Sequence, residues 1–345
     1  MIGVVLLNNM TLTLDSLVLF CIHGDLVKDD LTSYSMNQWN DLEFKLKHSI
    51  FKKPSGLLSL KNYDLETELA ISEIEASKIK SLLLRMPLVL ESLANLERQG
   101  IYVITKYENQ YPRVFFHRLK KNAPLILYYC GDFSLLKEEC IAITGSSHPT
   151  RQMNMNTRIV VDKMIDEGYT LMTSGHTGLE KTSLAHQLRM NGNVILFVAD
   201  HMKDKRIEYL KQIKNQRLLI LSHRYPDSEY DVIESIIRNS YIYALSLTTF
   251  IMHSEINTGS LWFSAMQNLK YRWSKILAVV DDEFYGNAKL VEAGAIPVTM
   301  ERIKSEVLIN DLIEVTKEEV NLRQEVEQMS IFDFIQDEGN ISHEK

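Results

Sequence analysis

The sequence predicts an α/β protein with a Rossmann-like, doubly wound and mostly parallel sheet, preceded by a small all-helical domain. From about residue 101, short apolar runs alternate with stretches of helical length, as expected for strands buried on both faces of a parallel sheet. Before that point, apolar residues recur at three- and four-residue spacing among good helix formers. We therefore expect a helical N-terminal module (1–100), a Rossmann-like core (101–300) and an acidic helical or flexible tail (301–345).

The N-terminal module contains residues that mark helix ends but no pattern that suggests catalysis. The stretch LETELAISEIEASKIKSLLLRM has helical spacing, and Pro87 after it predicts a boundary between two helices. The next segment, LVLESLANLERQG, ends in Gly100, a residue typical of helix ends. We interpret the module as one that packs or mediates contacts.

Seven strands are predicted in the core, in the stretches IAITG, TLMTSG, VILFVAD, LLILSH, TFIMHSE, KILAVVD and AIPV. Doubly wound sheets bind ligands at the carboxyl ends of their strands. At these ends the sequence offers glycines, which allow close approach of the backbone, and hydroxyls and N–H groups, which hold an anion without formal positive charge. The predicted phosphate-binding residues at these ends are Gly145, Ser146, Ser147, Ser174, Gly175, Gly178, Thr258, Gly259 and Ser260.

Positive charge is concentrated in parts of a chain whose net charge is −7. The tail from Glu314 to Lys345 holds nine acidic and three basic side chains, a net charge of −6 that leaves only −1 on the preceding residues. A basic stretch spans 203–217, and a second basic cluster at 270–275 is interleaved with aromatic rings. Such combinations suit single-stranded nucleic acid, and solvated helix faces are the alternative. The nucleic-acid candidates in the first stretch are Lys203, Lys205 and Arg206.

Composition favours a cytoplasmic protein without a membrane segment. Hydrophobic residues at 45% and charged residues at 24% are ordinary for a globular protein. The three cysteines form neither an even disulfide framework nor a CxxC pair, which fits a reducing compartment. No apolar run approaches the roughly 20 residues needed to span a bilayer.

Arg238 and Asn239 are the strongest single candidates for contact with nucleic acid. A guanidinium donates a fork of hydrogen bonds to phosphate and stacks on bases, although a structural ion pair with a carboxylate is the alternative. Several histidines also fall near strand ends or in the following helices, without HxxxH or HExxH spacing. We expect them to make scattered polar contacts, and we expect no metal, no cofactor and no catalytic residue. These histidines are His148, His176, His186, His223 and His253.

A series of motifs, taken in order, resembles the DNA-processing protein DprA (Smf) family. The motifs are ITKYENQYPRVF, NAPLILYYCGD, ITGSS, TSGHTGLE followed by LAHQLRMNG, IRNSYIYALS, INTGSLWFSA and GNAKLVEAGAIPV. The resemblance runs from roughly residue 60 to 298 and is clearest over 101–298. It implies a non-enzymatic, Rossmann-like protein that binds single-stranded DNA in DNA processing, recombination, repair or uptake. It also implies a RecA-type recombinase as partner and a homodimer formed through the core.

The chain departs from the family pattern at positions that matter for binding. Ser147 stands where the family has a loop arginine, so this loop would hold phosphate through backbone N–H groups and hydroxyls. Glu180 replaces an aspartate, and His223 and His253 replace two glutamates. The alternative function is a Rossmann-like nucleotide sensor or nucleotide hydrolase, for example in anti-phage defence, because one nucleotide needs fewer cationic contacts than a strand. A third reading is a scaffold whose core binds only protein.

The tail carries a short peptide, QMSIFDFI, that resembles the bacterial sliding-clamp-binding motif. In this reading apolar side chains enter a groove on the clamp while the Gln328 amide bonds at its rim. An acidic tether would keep the peptide exposed. The alternative is a tail helix whose apolar end docks onto the body. The predicted clamp-binding residues, within 328–334, are Gln328, Met329, Ile331, Phe332 and Phe334.

If this peptide binds the clamp, Phe332→Ala should abolish clamp capture in a pull-down. Removing a buried phenylalanine side chain weakens binding about tenfold or more. Ile341→Ala, an apolar truncation in the same tail but outside the motif, serves as the control and should capture normally. Equal capture by both variants would rule out the motif.

Overall fold

The computed structural model describes residues 4–7, 10–59, 62–280 and 285–314, in which helices dominate before residue 100 and strands alternate with helices after it. The strands of the described residues are β1 Val4–Leu7, β2 Met10–Thr13, β3 Tyr102–Thr105, β4 Ile126–Gly131, β5 Cys140–Thr144, β6 Thr170–Thr173, β7 Val194–Val198, β8 Leu218–Ser222, β9 Thr248–Ile251, β10 Lys275–Val279 and β11 Ile296–Val298. The α-helices are α1 Leu14–Ile22, α2 Met36–His48, α3 Asn62–Leu69, α4 Glu73–Leu83, α5 Met86–Arg98, α6 Val114–Leu119, α7 Arg151–Asp166, α8 Leu179–Arg189, α9 Met202–Glu208, α10 Leu210–Lys214, α11 Val232–Leu245, α12 Gly259–Tyr271, α13 Tyr285–Glu292, α14 Met300–Lys304 and α15 Ile309–Glu314.

The predicted fold class is confirmed: the core is an α/β Rossmann-like fold, and a helical region precedes it. All seven predicted core strands are present, as β5 to β11. Strands β6, β7, β8 and β9 are buried along their whole length, which explains why they read as continuous apolar runs rather than alternating ones.

The main sheet has the strand order β11-β10-β9-β5-β6-β7-β8-β4-β3. Strands β5 and β6, β6 and β7, β5 and β9, β9 and β10, and β10 and β11 pair in parallel. The chain moves outward from β5 through β6 and β7 to β8, returns to β9 on the other side of β5, and continues to β10 and β11. The order therefore reverses between β5 and β9, and ligands of doubly wound sheets bind at such a point.

Two strand pairs were not predicted. Strands β1 and β2 form a separate two-stranded antiparallel sheet before the helices. Strands β3 and β4 pair antiparallel, with Tyr102 opposite Tyr129 and Thr105 opposite Ile126. Both pairs are antiparallel, and neither belongs to the alternation of parallel strands and helices by which the core strands were recognised.

The predicted helix boundaries at Pro87 and Gly100 are confirmed. Helix α4 ends at Leu83, and α5 begins at Met86 with Pro87 in its first turn, where a missing N–H costs nothing. Gly100 follows α5 with φ of +68°, a backbone conformation that favours glycine.

The described chain divides into two compact units. The first comprises the chain up to Arg113 together with Lys121–Cys130 and Ser222–Pro226. The second comprises Val114–Lys120, Gly131–Leu221 and the chain from Asp227 onward, and it holds all the strands around the reversal point. Among the described residues, no helix is both long enough and apolar enough to cross a membrane.

Asn287 of α13 fastens the ends of two neighbouring strands. Its fully buried amide nitrogen donates to the carbonyl oxygens of Ile251 at 2.9 Å and Val279 at 2.7 Å, the last residues of β9 and β10. Its oxygen accepts a 2.7 Å hydrogen bond from the Ser254 hydroxyl. Asn287 therefore fixes the start of the loop that follows β9.

We expect Asn287→Ala to lower the free energy of unfolding by about 2–3 kcal/mol, because buried carbonyls and a hydroxyl lose their hydrogen-bond partner. Urea denaturation should show a lower midpoint with an unchanged m-value. Lys289→Ala on the same helix removes a surface ion pair with Glu292 and an exposed contact with the Tyr285 ring, and it should change stability by less than about 0.5 kcal/mol. Equal midpoints for the two variants would contradict the fastening role.

Candidate nucleic-acid interface

The loops that follow β5, β6 and β9 touch one another at the carboxyl edge of the sheet. A Cβ atom on Gly145 would lie 2.7 Å from the Leu179 side chain and 3.3 Å from the His253 amide nitrogen. A Cβ atom on Gly178 would lie 2.2 Å from the Ser146 carbonyl oxygen. These glycines therefore allow the loops to pack against one another, whereas the sequence analysis had assigned them to close approach of a ligand.

The carboxylate of Glu180 joins the ends of two strands. Its Oε1 accepts a 2.8 Å hydrogen bond from the Thr144 hydroxyl at the end of β5. Its Oε2 accepts from the Ser174 amide at 3.2 Å and from the Ser174 hydroxyl, just after β6. The glutamate that departs from the family pattern thus organises the loop and is not itself available to a ligand.

The loop amides divide into engaged and free groups. The amides of Ser174, Gly175 and His176 donate to Glu180, to the Thr173 hydroxyl at 3.1 Å and to the Ser174 hydroxyl at 3.2 Å, respectively. Several other amides of these loops donate no hydrogen bond within the described part of the chain. Among them, those of Ser147, Thr177 and Gly178 are donors that the loops can offer to an anion.

Two helices begin at this edge without a side-chain cap. Neither Gly178 before α8 nor Thr258 before α12 caps its helix, and the Thr258 hydroxyl instead donates to the Ile256 carbonyl at 3.0 Å. By contrast, Thr150 caps α7 and Asp231 caps α11. Uncapped N-terminal amides and the helix dipole together favour anions.

Arg238 lies on α11 with only 9% of its surface exposed. Its Nε donates to the Asn239 Oδ1 at 3.0 Å, and no carboxylate of the described residues lies within ion-pair distance of its guanidinium. Burial lowers the pKa of Arg238, whereas the negative charges of Glu180 and Asp200 oppose that shift. The alternative of a structural ion pair is therefore not realised within the described chain.

Asn239 links this arginine to the reversal point. Its amide nitrogen donates to the Ser264 hydroxyl of α12 at 3.3 Å. Beside it lies a cavity of about 20 Å³ at the ends of β5 and β6, whose polar lining includes Thr144, Ser174 and Glu180. That volume accommodates about one water molecule.

A pair of aromatic rings lies beside the same loops. The rings of His176 and Tyr230 are nearly parallel, at an interplanar angle of 12° with centroids 6.4 Å apart. Tyr230 is 55% exposed. Exposed ring faces of this kind stack on nucleobases.

The predicted basic residues differ in whether they form an ion pair with a carboxylate. Lys203 pairs with Asp227 at 2.6 Å and Lys205 with Glu208 at 2.8 Å, whereas Arg206 makes no ion pair with any described residue. The second basic and aromatic cluster lies at the C-terminal end of α12 and the start of β10, the opposite edge of the sheet from Gly259. The structure therefore does not bring the two clusters together.

The histidines do not converge on one centre. No group of three or more His, Cys, Asp or Glu residues in the described ranges could hold a metal ion. His186 is buried and bonded to Asp162, whereas His148 and His176 are exposed. Burial lowers the pKa of His253, and the nearby Glu255 opposes that shift. The predicted clamp-binding residues 328–334 lie outside the described residues.

A match to one known protein family covers most of this core. The family model described as DNA recombination-mediator protein A matches residues 102–308, more than half of the chain. The chain belongs to this family. Its fold is also similar to the crystal structure of DNA processing protein A (DprA) from Streptococcus pneumoniae, with a TM-score of 0.58 at 16% identity, covering 80% of this chain and 99% of that one.

A second solved structure, DNA processing protein A from Helicobacter pylori, was described for its single-stranded DNA binding mode. It matches with a TM-score of 0.49 at 22% identity, covering 57% of this chain and 90% of that one. No curated protein sequence matches the chain. The family assignment therefore rests on the family model.

The sequence did not single out four side chains that the structure places at this edge or along α8. They are Tyr230, which stacks with His176, and Arg158, Lys181 and Arg189, which surround a groove behind α8. Tyr230 sits in an irregular segment without periodicity. In the sequence, the three cations resemble ordinary solvated helix positions. Lys181 and Arg189, however, are eight residues apart on α8, a spacing that indicates a shared face.

We expect Gly178→Ala to destabilise the protein more than Gly168→Ala. Both glycines have positive φ, at +84° and +80°, so both substitutions carry a backbone penalty of about 1 kcal/mol or more, and Gly178 with ψ of −134° lies in a region open almost only to glycine. Only at Gly178 would the new methyl group also collide with backbone, whereas nothing lies within 4 Å of a Cβ on Gly168. Urea denaturation measures the difference, and equal losses would contradict the close approach of the two loops.

Proposed function

We propose that this chain binds single-stranded DNA across the carboxyl edge of its parallel sheet and acts in DNA processing, recombination, repair or uptake by holding the strand. The observation that carries the proposal is the buried Arg238, whose guanidinium lacks a carboxylate partner among the described residues. A buried cation without a directly bonded counter-ion is costly even with Glu180 and Asp200 nearby, and an incoming phosphate would accept its free donors.

The surroundings of Arg238 suit a nucleic-acid strand. The free amides of Ser147, Thr177 and Gly178 would contact phosphate oxygens without formal charge. The parallel rings of His176 and Tyr230 would stack on a base. Phosphate contacts and stacking together give binding with little sequence preference, as an agent that processes arbitrary DNA requires.

The cavity beside Asn239 is too small to enclose a single nucleotide. The cavity beside Asn239 measures about 20 Å³, whereas pockets that enclose small ligands occupy about 300–1,000 Å³. A nucleotide sensor or hydrolase needs such an enclosure to surround its ligand. An extended strand needs only an exposed row of donors and ring faces, which is the arrangement observed.

The partners remain part of the proposal. The tail peptide at 328–334 would recruit the protein to the sliding clamp, and a homodimer and a RecA-type recombinase follow from the family resemblance. Recruitment by a short tail peptide would leave the sheet edge free for the strand, so the two activities are compatible in one chain.

The test is fluorescence anisotropy of a labelled single-stranded oligonucleotide, with duplex DNA for comparison, at about 50 and 200 mM salt. Arg238→Ala should weaken binding by about tenfold or more and reduce the salt dependence by about one phosphate contact. Arg238→Lys should retain part of the affinity, since it keeps the charge but loses the fork of donors. Lys289→Ala, which removes an exposed paired charge, should bind normally.

The same variant predicts an unusual stability result. Because Arg238 is buried without a carboxylate partner in the described chain, Arg238→Ala should leave the thermal unfolding midpoint unchanged or raise it. A lower midpoint together with unaltered DNA binding would show that Arg238 is a structural residue and would defeat the proposal. Absence of binding by the wild-type protein at micromolar concentration in low salt would defeat it as well.

A further inference from the structure

A basic groove runs along the outer side of α8, where this helix packs against α7. The groove has a volume of about 320 Å³. Arg158 of α7 and Lys181, His186 and Arg189 of α8 line it, and Gly178 lies at one end. No acidic side chain is among its lining residues.

The three cations of the groove form no ion pair within the described residues. Arg158, Lys181 and Arg189 are exposed. Of the nearby acidic groups, Asp162 bonds to His186, Glu180 bonds to the strand ends, and Glu208 pairs with Lys205 and also feels the charge of Lys181.

His186 fixes the direction in which one arginine points. Arg189 Nη2 lies 2.7 Å from His186 Nδ1, and because arginine only donates, Nδ1 is the acceptor. Nε2 therefore carries the proton and donates to Asp162 Oδ1 at 2.6 Å. This chain of hydrogen bonds holds Arg189 at the groove while leaving its other donors available.

The groove adjoins the sheet edge. Gly178, at the end of the groove, lies against the Ser146 carbonyl and its own amide is free of partners in the described chain. From there Lys181 and Arg189 extend along one face of α8, eight residues apart, a rise of about 12 Å. A strand crossing the edge can therefore continue over the start of α8 and meet several cations in succession.

We propose that the α7–α8 groove binds the phosphodiester backbone of the single strand as it leaves the sheet edge. This inference rests on the proposed function and extends it. The groove supplies, from helix side chains, the positive charge that Ser147 does not provide in the loop. The site at the edge holds the first nucleotides, and the groove holds those that follow.

The experiment compares a short and a long oligonucleotide, of about 6 and 20 nucleotides, in the anisotropy assay. The variant is Arg158→Ala/Lys181→Ala, because neither side chain forms an ion pair in the described chain. Its control is Lys45→Ala/Lys289→Ala, which removes the same charge from two surface ion pairs. We expect about tenfold weaker binding of the long oligonucleotide, a salt slope lower by about 1.4 for two lost contacts with a single strand, and unchanged binding of the short one.

The outcomes separate this inference from the proposed function. Unchanged affinity and slope on the long oligonucleotide would overturn the groove while binding that depends on Arg238 still stands. Equal losses on both oligonucleotides would also overturn it, since the groove would then belong to the edge site. Competition by millimolar inorganic phosphate as strong as that by unlabelled strand would identify a free-phosphate site instead. No binding of any strand by the wild type would overturn both proposals.

Discussion

The carboxyl edge of the sheet depends on hydrogen bonds to one carboxylate, that of Glu180. Through Thr144 and Ser174 it holds the ends of β5 and β6 at the first turn of α8. The Leu179 amide then donates to the Ser146 carbonyl at 3.1 Å, which fixes α8 against the loop after β5. Because the amides closest to Glu180 already donate hydrogen bonds, the exposed amides of Ser147 and Thr177 are the ones that a ligand can reach.

The same carboxylate determines the state of Arg238. Had Glu180 paired directly with Arg238, the pair would have consumed the arginine's donors and cancelled its charge. Glu180 instead accepts hydrogen bonds from Thr144 and Ser174, and with Asp200 it stabilises the buried cation through space. The guanidinium thus remains charged, desolvated and without a carboxylate partner within the described residues. Sites that bind ligands retain such costs because the ligand relieves them.

Sequence reasoning predicted most of the core for a clear physical reason. Strands β6 to β9 are buried along their whole length, and such apolar runs, alternating with helical stretches, can be recognised without knowledge of the partner strand. The pairs β1–β2 and β3–β4 are antiparallel and lie outside this alternation, so their identity as strands depends on the partner each one finds. The glycine and serine loops could be placed at the carboxyl edge because they directly follow predicted strands.

Local sequence cannot say which donors and charges remain available. The amides of Gly175 and Ser147 belong to similar Gly-Ser loops, yet the first donates to Thr173 and the second is free. Lys203 and Lys181 are both helical lysines, yet only the first meets a carboxylate, Asp227, from a distant segment. Such distinctions arise from tertiary contacts between residues far apart in the chain.

This distinction between paired and unpaired charge also bears on how a chain of net charge −7 would hold a polyanion. Exposed charges act over about 10 Å at moderate salt, so the sum over the chain matters less than the balance around the strand. Near α8, Glu208 pairs with Lys205 and Asp162 bonds to His186, whereas Arg158, Lys181 and Arg189 form no ion pair within the described residues. In the proposed binding mode, these cations and Arg238 would meet the strand along the start and outer face of one helix. Helix side chains would then supply the positive charge that Ser147 does not.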